Sequence, residues 1–178
     1  DIALKRVDSE SSLGMHRKAL ELFIELKDAV GAARSYNNMG YILRRSGDNT
    51  KALDAYSEVE SILSEDKSKS LIPAQIVLAR ALLDLGHQDR ARDHALSAYE
   101  QSENSDDTIL HARARAVLGR YYAKTGDSDL ALHHYTDALE TMGEAGDPLA
   151  LVEVSILLGE VLQDLSLIHI SEPTRPAL

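Results

Sequence analysis

Asn37-Asn38-Met39-Gly40-Tyr41-Ile42-Leu43-Arg44-Arg45-Ser46-Gly47-Asp48-Asn49-Thr50-Lys51-Ala52-Leu53-Asp54-Ala55-Tyr56 contains one helix end, one turn and one helix start. Gly47 stops a helix whose apolar positions are Ala32, Ala33, Tyr36, Met39, Gly40 and Leu43, spaced at three and four residues. Asp48 or Asn49 can cap the helix that follows, and Ala52, Leu53, Tyr56, Val59 and Leu63 form its apolar face. The same glycine, with an alanine five residues later, recurs outward in both directions as Gly14 and Ala19, Gly86 and Ala91, and Gly126 and Ala131. Successive glycines are 33, 39 and 40 residues apart, a spacing that marks stacked two-helix units. Each of the four, Gly14 included, is expected to end a helix, since glycine enters the left-handed conformation at little cost.

The later units repeat the pattern. Ile76, Leu78, Ala79, Leu82 and Leu85 precede Gly86, and Ala91, Ala95, Ala98 and Tyr99 follow it. Ala114, Leu118, Gly119 and Tyr122 precede Gly126, and Ala131, Leu132, Tyr135, Ala138 and Leu139 follow it. Gly40, Ala79, Gly119 and Gly159 fall seven residues before a closing glycine or its expected place. A glycine inside a helix costs about 1 kcal/mol relative to alanine, so its recurrence predicts a close helix crossing.

Composition narrows the class. The 178 residues are 44% apolar but only 4% aromatic, with no Trp and one Phe, which favours Ala/Leu-rich helical packing over sheets. The chain has no Cys, so disulfides and thiolate metal sites are excluded; a cytoplasmic location is compatible and is the expectation. No apolar run approaches the roughly 20 residues that span a bilayer, so no membrane association is expected. Asp1 falls directly into a helix-like pattern without a Met, which suggests an upstream portion.

Residues 165–175, Leu165-Ser166-Leu167-Ile168-His169-Ile170-Ser171-Glu172-Pro173-Thr174-Arg175, resemble a translated sequencing-library adapter. The unit that begins near Pro148 should close with a glycine near 166, yet its pattern stops at Asp164. Residues 1–164 are therefore assigned to one repeat domain and 165–178 to a non-native tail. The units are approximately 1–30, 31–70, 71–107, 108–147 and a partial 148–164. Cut short there, the last helix would expose Leu157, Leu158 and Leu162, and self-association through them would be an artefact.

Met39-Gly40, Gly47, Ala52, Tyr56 and Val59, and Leu118-Gly119, Gly126, Ala131, Tyr135 and Ala138, resemble the tetratricopeptide repeat in its longer-repeat form. Leu78-Ala79 and Ala95 give a weaker third copy, and Ala19, Phe23 and Leu26 supply only the second helix of a first. The resemblance covers roughly residues 12–164. It implies an all-α, right-handed superhelical solenoid of antiparallel helix pairs, with first helices lining a concave groove and second helices forming the back. It also implies a protein or peptide partner. The carboxylate clamp of some members is echoed only by Asn38 and is not carried over.

Charge is segregated by helix within a net charge of -10. Between Gly31 and Gly47 lie Arg34, Arg44 and Arg45 with no acid, and between Thr108 and Gly126 lie Arg113, Arg115, Arg120 and Lys124 with no acid. From Asp127 to Asp147 there are six acids and no Lys or Arg. At helical spacing Arg34, Asn37, Tyr41, Arg44 and Arg45 share a face, and Arg113, Arg120 and Lys124 another, with Arg80 between. With Asn38, these residues form the candidate partner-binding set, a basic strip suited to an acidic segment. Glu153 and Glu160 invert the sign at the far end. The alternative is that the arginines pair with acids of neighbouring helices, each exposed pair contributing about 0 to 1 kcal/mol. Nucleic acid is disfavoured by the acidic field and the lack of a basic aromatic stacking platform.

No catalytic or cofactor pattern is present. His133 and His134 point about 100° apart on a helix, and His94 has no ligand partner three or four residues away. There is no nucleophile elbow, phosphate loop or dinucleotide turn. The chain is thus expected to be a non-enzymatic interaction scaffold without metal or cofactor, or else the regulatory or sensor segment of a larger signalling or transcription-regulating protein.

Overall fold

The computed structural model describes residues 2–163 apart from 67, 104, 146, 147, 149, 150, 153, 157 and 160. Glu153, Leu157, Glu160 and the 165–178 segment lie outside the described residues. The helices are α1 (Ile2–Glu25), α2 (Ala29–Arg45), α3 (Asn49–Glu65), α4 (Ile72–Asp84), α5 (Gln88–Glu103), α6 (Thr108–Thr125) and α7 (Ser128–Ala145). The described residues between 148 and 163 are helical too, and no strand occurs among the described residues. The packing forms two compact units, Asp1–His94 and Ala95–Leu178. In the first unit α2 packs on α1, α3 and α4; in the second α6 packs on α7.

Four turns share one design. Gly47, Gly86 and Gly126 have φ of 84°, 83° and 87°, and Lys27 takes the same left-handed position at 56°. In each, the next residue's N–H reaches back five residues to a carbonyl: Asp28 to Phe23, Asp48 to Leu43, His87 to Leu82 and Asp127 to Tyr122, at 2.8–3.0 Å. This is the Schellman closure, which satisfies carbonyls that the helix end leaves bare. At three of the four, aspartate then caps the next helix. Asp28 accepts from the Gly31 N–H at 2.9 Å, Asp48 from Lys51 at 3.2 Å and Asp127 from Leu130 at 3.2 Å.

Gly14 does not end a helix, contrary to expectation: α1 runs unbroken from Ile2 to Glu25. The residues after it, Met15-His16-Arg17-Lys18, include no capping side chain, whereas Asp follows Gly47 and Gly126. The first stop falls instead at Lys27-Asp28, where a lysine occupies the position that glycine holds elsewhere. Met15, Leu22 and Ile24 of α1 and Leu26 just after it are exposed.

Small residues inside the first helices make room for rings on the second. A Cβ built at Gly40 would lie 2.5 Å from Cε1 of Tyr56, and one at Gly119 would lie 2.8 Å from Cδ1 of Tyr135. Both rings are fully buried, at 1% exposure. Each tyrosine lies sixteen residues after its glycine; sixteen residues after Ala79 stands Ala95, and both alanines are completely buried. Where the ring is absent, the glycine is absent too. Gly159 departs from the expectation, since nothing lies within 4 Å of a Cβ placed there. In the second unit Tyr135 sits in a core of Ala112, Ala116, Ala131, Ala138, Met142, Val154 and Val161.

Candidate protein-interaction surface

On α2 the candidate residues divide between two faces. Arg34, Asn38, Tyr41 and Arg45 are exposed, at intervals of four, three and four residues, so they lie along one side of the helix. Arg45 Nη1 donates to the Tyr41 hydroxyl at 3.0 Å, and the guanidinium carbons of Arg44 and Arg45 each lie 5.7 Å from the Tyr41 ring centroid. That contact is in the range where a cation is attracted to a ring face. The stripe is therefore partly ordered before any partner arrives.

Asn37 and Arg44 turn the other way, toward α4. Asn37 is 3% exposed, and its Nδ2 donates to the Ala74 carbonyl at 3.0 Å. It is thus removed from the accessible face to which sequence spacing assigned it: a buried amide must find partners within the protein, and α4 supplies one. Arg44 is half-buried and pairs with Asp84 at 3.3 Å. For this arginine, pairing with an acid on a neighbouring helix is what the structure shows. Arg80 on α4 is half-buried and has an interaction of its own.

In the second unit Arg113 and Lys124 are exposed at the two ends of α6, and Arg120 is half-buried. Arg113 and Arg120 each have an interaction partner. Val117, between Arg113 and Arg120, is 6% exposed, so this side of α6 is not an unbroken open stripe as on α2. Arg115 is neutralised by Asp137 of α7. Its location in a basic run carried no sign of that, because the acid lies 22 residues away on another helix.

Spacing also gave no sign of a polar clamp between α3 and α5. Glu60 accepts from Arg90 Nε at 3.0 Å and a second time from Arg90 Nη2, and its Oε1 lies 3.0 Å from His94 Nε2. Burial opposes the Glu60 charge, but hydrogen bonds from Arg90 and His94 outweigh it and hold the carboxyl below its ordinary range. His94, unassigned from sequence, is thus held by an acid on a neighbouring helix. Among the described residues no group of three or more His, Asp or Glu is placed to hold a metal ion, and no helix is long and apolar enough to cross a membrane.

Helical hairpins closed by left-handed turns, each with a small residue facing the partner helix, place the chain among the all-α helical-repeat proteins. Tetratricopeptide-repeat models match residues 33–62, 72–96 and 112–135, so the chain carries tetratricopeptide repeats over these segments. It is 24% identical over 131 residues to the human outer dynein arm-docking complex subunit 4, a match that covers 74% of this chain and 19% of that one. Among solved structures it is similar to BtubC from P. vanneervenii, with a TM-score of 0.63 and 18% identity over 98% of this chain and 80% of that one. It is also similar to the apo form of RapI, with a TM-score of 0.66 and 19% identity over 93% of this chain and 46% of that one. These likenesses support the fold.

Proposed function

We propose that the chain is a protein-interaction scaffold that holds an acidic peptide segment against the first helices of its repeats. The observation that carries this is the α2 stripe of Arg34, Asn38, Tyr41 and Arg45, open to solvent and cationic on a chain of net charge -10. Two guanidinium groups can form charge-assisted hydrogen bonds with carboxylates, and the Asn38 amide can both donate and accept. Arg113 and Lys124 extend the same preference on α6. The family supports a protein partner, and the human relative is by its name a subunit of a docking complex.

The test is peptide capture from a displayed library, with intact protein and with Arg34→Glu/Arg45→Glu. The unaltered protein should enrich acidic peptides whose affinity falls with salt, and the reversed pair should lose affinity at least about tenfold, the equivalent of about 1.4 kcal/mol. Both positions are exposed, so the melting temperature should hold. Equal capture of the same peptides by both proteins would refute the proposal.

A second reading makes these repeats the regulatory or sensor segment of a larger signalling or transcription-regulating protein. It is favoured by the match to only 19% of the human relative and 46% of RapI. The full open reading frame distinguishes the two: an effector domain on the same chain supports the second, and repeats alone support the first.

A further inference from the structure

Polar rings fill the space between the end of α5, α6 and α7 in the second unit. The Tyr99 ring of α5 lies 4.9 Å from the His111 ring of α6 and, edge-on, 6.1 Å from the His134 ring of α7. His134 in turn stacks on Tyr122 of α6, with centroids 5.3 Å apart and planes 5° from parallel. Arg115 runs through this layer: its guanidinium carbon lies 5.6 Å from the Tyr99 ring centroid, Nη2 donates to the Tyr99 hydroxyl at 3.2 Å, and Nη1 donates to Asp137.

Hydrogen bonding sets the proton inventory. Ser102 is completely buried, and its hydroxyl donates to the Tyr99 carbonyl at 2.9 Å. That uses its one proton, so the 3.1 Å contact with His111 Nδ1 requires the N–H to be on the histidine. The neutral form of His111 fits that contact with its lone pair on Nε2. His134 Nδ1 is buried with no hydrogen-bond partner. An added proton there would create a donor that nothing accepts, and a buried donor left unpaired is costly.

We propose that this ring layer is an acid-sensitive latch: α6 stays packed between α5 and α7 while His134 is neutral, and protonation of its ring loosens the layer. Charges around the rings act in the same sense. Facing His134 are His133 and Asp137 on α7, Arg115 and Tyr122 on α6, and Tyr99 on α5. The described residues beyond α7 that pack on its core, Leu151, Val154, Leu158 and Val161, are apolar. Burial, followed by the charges of His133 and Arg115, holds His134 below the usual histidine range against the pull of Asp137. Burial and Arg115 do the same to His111 against Glu103. A histidine lowered on folding takes up its proton first in the unfolded chain. The stability it confers is complete above the unfolded value of about 6.5 and is lost as pH falls below it.

The test follows both rings by NMR titration of the intact chain, with hydrogen exchange at about pH 7.5 and about pH 5.5, on either side of the histidine reference value. Midpoints for His111 and His134 should lie below the histidine reference value of about 6.5. Amide protection, corrected for intrinsic exchange, should fall in α6 and α7 at the lower pH. In His134→Phe, which keeps a ring against Tyr122 but cannot titrate, the loss should shrink; His134→Gln serves the same purpose if Phe does not fold. Midpoints at or above that reference value, or equal loss of protection in the variant, would overturn the proposal.

Discussion

Replacing Gly119 by alanine tests how the helix pairs are built. In an open helix the change should stabilise, since glycine costs about 1 kcal/mol relative to alanine. Here the new Cβ would sit 2.8 Å from both Cδ1 and Cε1 of Tyr135, closer than real Cβ atoms approach a neighbour. The ring has no room to withdraw, because it is 1% exposed and walled by Ala112, Ala116, Ala131 and Ala138. Overpacking a filled core costs about 1–3 kcal/mol, so after the gain of about 1 kcal/mol the net result should be a loss of up to about 2 kcal/mol. For a chain of this length that is up to about 8 °C in melting temperature, read by thermal unfolding followed by circular dichroism. Gly14→Ala is the control: Gly14 lies inside α1 with nothing within 4 Å of a built Cβ, so the change should gain about 1 kcal/mol. In a Tyr135→Leu background Gly119→Ala should no longer destabilise, because the two effects are coupled through the ring. If Gly119→Ala raises the melting temperature as Gly14→Ala does, the ring-over-glycine account is wrong.

Other substitutions probe the remaining parts. Gly119→Leu adds more carbons against the same ring and should cost about 3 kcal/mol or more, by the same unfolding assay. Lys27→Gly relieves a side chain held at φ 56° and should raise stability by about 0.5–1 kcal/mol, the gain being offset in part by a freer unfolded chain. Arg44→Gln breaks the pair with Asp84 and should lower stability by at most about 1 kcal/mol while leaving peptide capture by Arg34 and Arg45 in place. The Glu60 carboxyl is depressed on folding, so its contribution is present above the unfolded carboxylate value of about 4.3 and is lost as pH falls through the folded one. Acid unfolding of Glu60→Gln should accordingly be less steep below about pH 4.5 than that of the unaltered chain.

Periodicity and turn chemistry are local, and they were legible in the sequence. A glycine in the left-handed position followed by aspartate encodes its own turn, so Gly47 and Gly126 and the helices on either side of them could be placed without coordinates. Gly86 could be placed in the same way, by its step from Gly47. The resemblance to the tetratricopeptide repeat was carried by the residues at these turns and on the helices beside them, and the small residue seven positions before each of these stops was legible in the same way. Gly14 and Lys27 show the limit. Residue type alone suggested a stop at the first and none at the second, whereas the cap that decides the matter is Asp28.

The surface was only half legible. Helical spacing put Asn37 and Arg44 beside Arg34 and Tyr41, because neighbours on a helix differ by about 100° and a broad face admits all four. Which edge of that face stays wet depends on where α4 lies, and α4 covers Asn37 through the Ala74 carbonyl and ties Arg44 to Asp84. Arg115 and His134 were likewise beyond reach of sequence, since their surroundings come from three helices that meet only in the folded chain. Sequence by itself determined the repeating helix pattern and the stops at Gly47, Gly86 and Gly126, because those rest on interactions within a few residues. Tertiary structure alone decided which charges are spent inside the protein and which remain for a partner, because burial belongs to the packed helices and not to any one of them.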